Sequence, residues 1–384
     1  MAKLGDICIQ ITDGSHNPPM GVEQSNYLML SSKNIDDDYI TLNDPRYLSQ
    51  EDFEAENRRT NIKPNDLLIT IVGTIGRVAI VPNSLTEFCV QRSVAVLKPK
   101  PEIVYNRFLM HYLQSMRPYL EQESRGVAQK GIYLKQLSNL SIILPPLDEQ
   151  RKIAAVLDKV SDLIAKRRQQ LDKLDEIVKS RFIEMFGDPV DNPHGFRKVA
   201  LSELAEIRIG PFGSLLHKED YIEGGHPLLN PSHIVDGKVA PDSKLTISDK
   251  KYDELEAYHL HTGDVVMGRR GEMGRCAVVP SEGFLCGTGS LLIRTKGEVT
   301  ADYIQKTISF PSFRKTIEDM AVGQTMPNLN VPIVSKFQII KPPIEVQINY
   351  YKFVAQTDKS KLAIQQSLEK LEILKKSLMQ KYFG

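Results

Sequence analysis

The architecture of this chain follows from the stretch Asp66-Leu-Leu-Ile-Thr-Ile-Val-Gly-Thr-Ile-Gly-Arg-Val-Ala-Ile-Val-Pro82. A related stretch, Asp264-Val-Val-Met-Gly-Arg-Arg-Gly-Glu-Met-Gly-Arg-Cys-Ala-Val-Val-Pro280, lies 198 residues further along. Seven of the 17 aligned positions are identical, and most others exchange one apolar residue for another. A second block matches at a shift of 197 residues, pairing Pro145-Pro146 with Pro342-Pro343, Gln150 with Gln347, and Phe186-Gly187 with Phe383-Gly384. Two matching blocks at nearly one offset predict a duplicated unit.

The sequence pattern changes once within each unit. Residues 1–144 and 188–341 hold short β-branched runs between Gly, Pro, Asn and Asp, which is typical of strands and turns. Residues 145–187 and 342–384 instead repeat apolar residues every three or four positions, which indicates long helices. We therefore predict an α+β protein with two pseudo-symmetric globular domains, each a twisted β-sheet plus helices. Two long antiparallel coiled-coil helices separate these domains, and further helical stretches are expected near Tyr105–Glu123 and Ala301–Met320.

The apolar seam of the two long helices identifies the residues that would pair them. A seam kept over several heptads is typical of coiled coils, and 40 residues would make a rod of about 60 Å. In the second helix, Thr357 and Lys361 stand where the first has Val160 and Ile164. The alternative is that each helix packs only on its own globular domain. The expected helix-pairing residues are Ile153, Leu157, Val160, Ile164, Leu171, Leu174, Val178, Val354, Ile364, Leu368, Leu371 and Leu378.

Composition excludes several classes of protein. The chain has 384 residues, of which 41% are hydrophobic and 25% charged, so a disordered or collagen-like chain is excluded. It has no apolar run of about 18 residues and no signal-peptide core, so we expect a cytoplasmic protein. The net charge of +1 argues against a protein that holds DNA alone, because phosphate neutralisation supplies most of that affinity.

No motif predicts catalysis, a metal or a cofactor. The segment Asn17-Pro-Pro-Met20 lacks the aromatic residue that methyltransferases stack on a flipped base. The glycine pairs Gly73/Gly76 and Gly271/Gly274 lack the Lys-Ser or Lys-Thr of a phosphate loop. The four cysteines contain no CxxC pair that would indicate a zinc site or a disulfide framework. We expect a non-catalytic chain without a cofactor or metal of its own.

Several phrases of the sequence resemble one family, the specificity subunits of type I restriction–modification systems. The most extensive is Leu144-Pro-Pro-Leu-Asp-Glu-Gln-Arg-Lys-Ile153, which runs into a long charged helix. The shorter phrases are Gly73-Thr-Ile-Gly-Arg77, Gly323-Gln-Thr-Met-Pro-Asn-Leu-Asn330 and Arg181-Phe-Ile-Glu-Met-Phe-Gly-Asp188. The resemblance covers the whole chain, including the repeated order of globular part and helix.

The resemblance implies a function and a set of partners. Each target-recognition domain would read one half of a split sequence in double-stranded DNA, and the helices would fix the spacing of the halves. The helices would also dock two adenine-N6 methyltransferase subunits, which would bind S-adenosylmethionine, and the assembly can recruit restriction/translocase subunits. The chain itself would catalyse nothing. The alternative is a coiled-coil adaptor that scaffolds protein partners without reading DNA.

The duplication separates two kinds of candidate DNA contact. Positions shared by the halves suit turn geometry or phosphate contact, so Arg77 and Arg275 are expected either to form a salt bridge with the repeated aspartate, Asp66 or Asp264, or to contact phosphate. Positions that differ between the halves are suited to base reading. The alternative for each polar loop is that it is only solvated. The adjacent arginines either read guanine or bind phosphate as a clamp. The differing candidates are Ser15, His16, Asn17, Ser32, Lys33, Asn34, Gln91, Arg92, Lys130, Lys218, Ser232, His233, Arg269, Arg270, Thr288 and Gln324.

Overall fold

The computed structural model describes residues 1–124, 131–321 and 328–384. The chain divides into two compact units. The first unit contains Met1–Leu171 together with Ala363–Gly384, and the second contains Asp172–Leu362. Each unit therefore combines one globular part with portions of both long helices.

The first repeat alternates short strands with helices. Its strands are β1 (Ala2–Lys3), β2 (Cys8–Asp13), β3 (Tyr27–Leu30), β4 (Arg46–Leu48), β5 (Leu67–Thr70), β6 (Val78–Ile80), β7 (Phe88–Val90), β8 (Val94–Pro99) and β9 (Ser141–Ile142). Its helices are α1 (Leu4–Ile7), α2 (Gln50–Thr60), α3 (Asn106–Ser115), α4 (Arg117–Glu123), α5 (Leu134–Ser138) and the long α6 (Leu147–Phe186).

The second repeat follows the same order with more strands. These are β10 (Lys198–Ala200), β11 (Ala205–Ile209), β12 (Tyr221–Ile222), β13 (His226–Leu229), β14 (Ile234–Val235), β15 (Lys238–Val239), β16 (Thr246–Ile247), β17 (His259–Leu260), β18 (Val265–Gly268), β19 (Cys276–Val278), β20 (Phe284–Cys286), β21 (Ser290–Thr295) and β22 (Gln338–Ile340). The helices are α7 (Leu201–Leu204), α8 (Asp249–Glu254), α9 (Ala301–Ile308), α10 (Pro311–Ala321), α11 (Val331–Ser335) and the long α12 (Ile344–Phe383).

Corresponding sheets occur in the two units. A four-stranded antiparallel sheet has the order β2-β8-β5-β6 in the first unit and β11-β21-β18-β19 in the second. A second sheet contains one parallel pair, β3 with β7 or β13 with β20. Small sheets β1-β9 and β10-β22 join the ends of each globular part, and the α+β class and the duplication are confirmed.

One of the two inner strands of each four-stranded sheet, β5 or β18, comes from the repeated stretch quoted first. All four residues of β5 and of β18 are buried, which explains why both read as continuous apolar runs rather than as alternating patterns. The sheet packs on one side against helices, and α3 supplies the buried Phe108 and Leu113 of the first core. In the second core Tyr303 and Ile304 of α9 hold the same place.

The predicted helical stretches after each sheet are confirmed, and each consists of two helices. Two helices replace the stretch 105–123, because the chain leaves α3 at Met116 and begins α4 with Pro118 in its first turn. In the second repeat Pro311 begins α10 in the same way. The helices α2 and α8, which the strand-rich pattern concealed, are each capped by a serine, Ser49 or Ser248, whose side chain accepts a backbone N–H.

Each long helix is continuous over 40 residues. Within the first unit, Nη2 of Arg168 lies 2.8 Å from Oε1 of Glu372. Within the second unit, Lys361 pairs with Asp175, and the hydroxyl of Tyr350 donates to the carbonyl of Val178 at 3.2 Å. Higher numbers in α6 meet lower numbers in α12, so the two helix segments of the second unit run antiparallel.

Candidate nucleic-acid interface

The first unit brings most of its predicted DNA-contacting loops together at one end of its sheet strands. Strands β2 and β5 end there and β8 begins there, since Asp13 lies opposite Ala95 and Thr70 opposite Val94. We define the first loop cluster as residues 14–20, 31–34, 71–76 and 91–93. Backbone bonds connect its parts: Ser15 N–H donates to the Val90 carbonyl at 2.9 Å, and Arg92 N–H donates to that of Ser15 at 2.9 Å.

Side chains at this edge divide into exposed and structural groups. His16, Asn17, Lys33 and Arg92 are exposed, while Ser15, Ser32 and Gln91 are half-buried. Ser93 fixes the second loop, because its hydroxyl accepts the N–H of Ser32 at 3.0 Å. A set of exposed cationic and polar side chains on tied loops is suited to contact phosphates and base edges.

Asn34 has a different role from its neighbours. It is buried, and its Oδ1 accepts the N–H of Ser31 at 3.0 Å while its Nδ2 donates to the carbonyls of Thr41 and Asn43. Asn34 therefore shapes the loop that presents Lys33. The Nζ of Lys33 lies 2.5 Å from Oδ2 of the exposed Asp44, which a phosphate can readily replace.

A charged network supports the loop of residues 14–20. The carboxylate of Asp13, whose side chain is 10% exposed, accepts from Nη2 of Arg59 at 2.7 Å and lies 2.8 Å from Nε2 of His16. Nη1 of Arg46 donates to the carbonyl of Pro19 at 2.5 Å. The Asn-Pro-Pro-Met segment is thus a loop stabilised by these contacts, and the side chain of Met20 is fully exposed.

The second unit assembles an equivalent edge from different residues. We define the second loop cluster as residues 210–213, 230–233, 269–274 and 287–289. The N–H of Gly289 donates to Oδ1 of Asn230 at 3.3 Å, and the N–H of Arg269 donates to the carbonyl of Gly289 at 2.9 Å. Close approach explains the glycines here, because a Cβ on Gly210 would lie 2.0 Å from the carbonyl oxygen of Gly287.

The predicted residues of the second cluster also divide by exposure. Ser232, Arg270 and Thr288 are exposed, and Arg269 is half-buried. His233 is 5% exposed, and its Nδ1 lies 2.7 Å from the Leu228 carbonyl. It thus caps its loop as Asn34 does in the first unit.

Three predicted residues lie apart from these edges or outside the described residues. Lys218 is exposed on a single helical turn, Lys218–Asp220, that leads into β12. Lys130 and Gln324 lie outside the residues that the structure describes.

Of the two alternatives for the shared arginines, the salt bridge with the shared aspartate is wrong. Arg77 pairs with Asp36 at 2.9 Å, and Arg275 pairs with Glu272 at 2.6 Å. The reason is hairpin geometry: Leu67 lies opposite Ile80 and Ile69 opposite Val78, so Asp66 is at the open end and Arg77 at the turn. The aspartates instead pair with β8 or β21, through Lys98 in the first unit and Arg294 in the second.

The shared glycines serve the turn between the hairpin strands. Gly73, Gly76, Gly271 and Gly274 all have φ between 75° and 83°, the left-handed region that glycine enters without strain. In the second unit Glu272 of this turn accepts from Arg275 and Arg314, and those hydrogen bonds lower the pKa of its carboxyl.

The predicted helix-pairing residues are all buried or half-buried. Ile153, Leu157, Val160 and Ile164 are at most 8% exposed, and Leu171, Leu174, Val178, Val354, Ile364, Leu368, Leu371 and Leu378 are half-buried. Ile153 and Leu157 belong to the core of the first globular part, together with Leu378 of α12. Packing on the globular part and pairing between helices thus both occur.

Sequence reasoning missed the structural role of two repeated glutamines. Gln150 is buried, and its Oε1 accepts the N–H of Tyr105 at 2.8 Å just before α3. Gln347 does the same for Thr300 before α9, at 2.9 Å. Each side chain also donates to a proline carbonyl, Pro145 or Pro342. The only signal in the sequence was that both glutamines coincide in the repeat.

The described residues give no sign of a metal centre. Within them, no three His, Cys, Asp or Glu side chains are grouped to hold an ion. Burial raises the pKa of each thiol to about 12, at Cys8, Cys89, Cys276 and Cys286. In that same part of the chain, no helix has the length and apolarity to cross a membrane.

Each of the two α+β repeats thus carries a cluster of polar loops at the ends of its sheet strands and is followed by a long helix. The family model "Type I restriction modification DNA specificity domain" matches residues 24–176 and 193–374. The chain therefore belongs to the family of type I restriction–modification specificity subunits, whose role is DNA sequence specificity.

Individual relatives agree with this assignment. The chain is 35% identical over 128 residues to the EcoBI specificity subunit of Escherichia coli, an alignment covering 33% of this chain and 27% of that protein. It is 20% identical over 348 residues to the MjaVIII specificity subunit of Methanocaldococcus jannaschii, covering 84% and 79%. A solved type I S subunit from M. genitalium shares the fold with a TM-score of 0.58 at 15% identity, covering 100% of this chain and 95% of that one. A chain solved in work on assembly of the type I restriction–modification system gives 0.59 at 18%, covering 100% and 96%.

Proposed function

We propose that each globular part of this chain reads one half of a split DNA target through its loop cluster. The main support for the proposal is that the two loop clusters share a backbone scaffold but differ in their side chains. Both clusters are built on the same strand edge and the same glycine turn, whereas Lys33, Gln91 and Arg92 in one are replaced by Ser232, Gly287 and Thr288 in the other. Two readers of different sequences require this combination, because phosphate contacts position and base contacts specify.

The second part of the proposal concerns partners. The chain would act in a complex with two adenine-N6 methyltransferase subunits, and with restriction/translocase subunits where these are present. Exposed apolar side chains support docking along the long helix α6: Val156 is 41%, Leu163 39% and Ile177 49% exposed, at spacings of seven and fourteen residues. A stripe with heptad spacing is suited to receive a partner helix.

The chemistry would belong to the partners. S-adenosylmethionine would bind the methyltransferase subunit, and the present chain would contribute binding alone. With a net charge of +1, this chain would rely on its partners for much of the phosphate contact. Tight binding of the isolated chain to its target at physiological salt would contradict this point.

The test is co-expression with the cognate methyltransferase subunit in a methylation-free host, followed by genome-wide detection of N6-methyladenine. A split motif with a fixed gap supports the proposal and gives both half-sites. Replacing residues 188–341 with the corresponding domain of a relative should change one half-site only. A contiguous motif would show that only one unit reads DNA. An assembled complex without methylation would favour the adaptor alternative.

A further inference from the structure

Arg269 occupies a position that the second unit holds rigidly. Its backbone N–H donates to the carbonyl of Gly289 at 2.9 Å, and its carbonyl accepts the N–H of Leu329 at 2.9 Å. The residue directly follows β18, so its main chain continues the central strand of the sheet into the second loop cluster. Its backbone is therefore fixed by partners on two neighbouring segments.

The first unit holds the equivalent position in the same way. The N–H of Ile71 donates to the carbonyl of Ser93 at 2.9 Å, and its carbonyl accepts the N–H of Ile132 at 2.9 Å. Ile71 is buried, whereas Arg269 is half-buried. The two repeats thus share the backbone at this point and differ in its side chain, which is the property expected of a specificity-determining position.

The guanidinium of Arg269 is also oriented. Its Nε donates to the carbonyl of Leu329 at 2.9 Å. Among the residues that the structure describes, no acceptor is bonded to Nη1 or Nη2 and no carboxylate forms an ion pair with this arginine. Partial burial, and then the neighbouring charge of Arg270, lower the pKa of Arg269, so an electronegative group is favoured there. The side chain therefore presents two outer donors in a preset plane.

Arg270 contrasts with its neighbour. It is exposed, and no described residue within hydrogen-bond distance fixes its guanidinium. An exposed arginine whose guanidinium is not fixed is suited to a phosphate, which accepts from many directions, whereas an oriented pair of donors is suited to a base edge. The two adjacent arginines therefore have different roles.

We propose that Arg269 reads a guanine in the half-site of the second unit and that Arg270 contacts the adjacent DNA phosphate. Nη1 and Nη2 of Arg269 would donate to O6 and N7 of guanine in the major groove. Adenine presents an amino donor in place of O6, so one of the two bonds would be lost and two donors would oppose each other. The expected preference for guanine is about tenfold to a hundredfold. This inference rests on the proposed function.

The experiment compares methylation motifs of three variants in complex with the cognate methyltransferase subunit. The half-site of the second unit is first assigned by exchanging residues 188–341. Arg269→Met keeps most of the alkyl chain but removes every donor, so we expect methylation of targets with any base at the guanine position and an unchanged first half-site. Arg269→Ala should do the same with weaker methylation. Arg270→Ala, the matched control, should keep the motif and reduce the salt dependence of binding by about one phosphate contact.

The possible outcomes distinguish failure of this inference from failure of the proposed two-reader function. A second half-site without guanine, or an unchanged motif in both Arg269 variants, would overturn the inference and leave the two-reader function standing. Absence of any split motif with wild-type protein would overturn the function itself. If Arg269→Ala fails to assemble, Arg269→Met decides, with the thermal midpoint of the complex checked against wild type.

Discussion

Arg294 holds the carboxylate of Asp264 with two nitrogen atoms, Nε to Oδ1 at 2.8 Å and Nη2 to Oδ2 at 2.7 Å. The Asp264 side chain is 4% exposed, and it also accepts the N–H of His261 at 2.7 Å. The hydrogen bonds that Arg294 donates to Asp264 raise the pKa of Arg294. In the first unit Lys98 contacts Asp66 at the same place. In both repeats an ion pair thus connects the residue before a fully buried strand, β5 or β18, to the neighbouring strand, β8 or β21.

Removing this carboxylate should destabilise the second unit. Asp264→Ala leaves the guanidinium of Arg294 partly buried without its partner, so we expect a loss of about 3 kcal/mol in the free energy of unfolding. Urea denaturation followed by circular dichroism measures it. The matched control is Glu184→Ala, which removes the exposed partner of Arg181 and should have little effect. A loss at Asp264 no larger than the control would show that the pair is not a significant source of stability.

The glycines of the shared turn should differ in their tolerance of alanine. A Cβ on Gly76 would lie 3.1 Å from Cγ of Arg117, a flexible side chain. On Gly274 it would lie 2.9 Å from the carbonyl oxygen of Ile308, which cannot move freely. Both positions have positive φ, which costs alanine about 1–2 kcal/mol. We expect Gly274→Ala to lower the urea midpoint more than Gly76→Ala.

The control for this comparison is Gly195→Ala. Gly195 has a φ of 67° and nothing within 4 Å of a Cβ added there, so alanine at this position meets only the cost of a positive φ. Equal effects at Gly274 and Gly195 would contradict the steric argument.

The two repeated glutamines should be equally important for their units. Gln150→Ala and Gln347→Ala each leave the partly buried N–H of Tyr105 or Thr300 without its acceptor. An unpaired buried donor costs about 1–3 kcal/mol, so each variant should lose about 2 kcal/mol in unfolding free energy. Gln169→Ala, at an exposed position of α6, is the control. If only one of the two buried sites were sensitive, the proposed equivalence would not hold.

Stability should depend on pH through Glu282. Its carboxylate accepts the N–H of Thr262 at 2.8 Å and lies 2.9 Å from Nδ1 of His261, and these bonds lower its pKa to about 2. Because the folded pKa lies below the ordinary value of 4.5, the stabilisation is complete above about pH 4.5 and is lost as the pH falls toward about 2. The difference in urea midpoint between wild type and Glu282→Gln should therefore shrink on acidification below about pH 4.5. A difference that grows in acid would refute the assignment.

Lengthening α6 should change the DNA target. Four residues inserted between Lys159 and Lys179 add about 6 Å of helix, or roughly two base pairs. We expect the gap between the methylated half-sites to change while both half-sites stay the same. The same insertion in the exposed loop at Asp242 should leave the gap unaltered. An unchanged gap after insertion in α6 would show that this helix does not set the spacing of the half-sites.

Much of this architecture could be predicted from the sequence because its signals are local or repeated. The 198-residue shift between Asp66 and Asp264 showed the duplication, and the apolar period showed both long helices. The glycines at 73 and 76 marked a turn because φ near 80° favours glycine over other residues.

Other features depend on contacts that sequence spacing does not show. One alternative paired Asp66 with Arg77, eleven residues away, but the partner of Asp66 is Lys98 on the neighbouring strand β8. Asn34 and His233 appeared as polar loop residues, yet both are buried and cap their loops from within. Burial and strand adjacency are properties of the tertiary fold, so no local pattern distinguished these residues from the exposed Lys33 and Ser232.

The composition of the first unit has a consequence for how the protein is made. Leu378, Met379, Tyr382 and Phe383 pack against the core that contains Phe108. A ribosome translates residues 363–384 only after the whole of Asp172–Leu362, so the half of the protein that emerges first is the last to be completed. A premature stop codon in α12 would therefore damage the amino-terminal reader, although every residue of its loop cluster had already been translated.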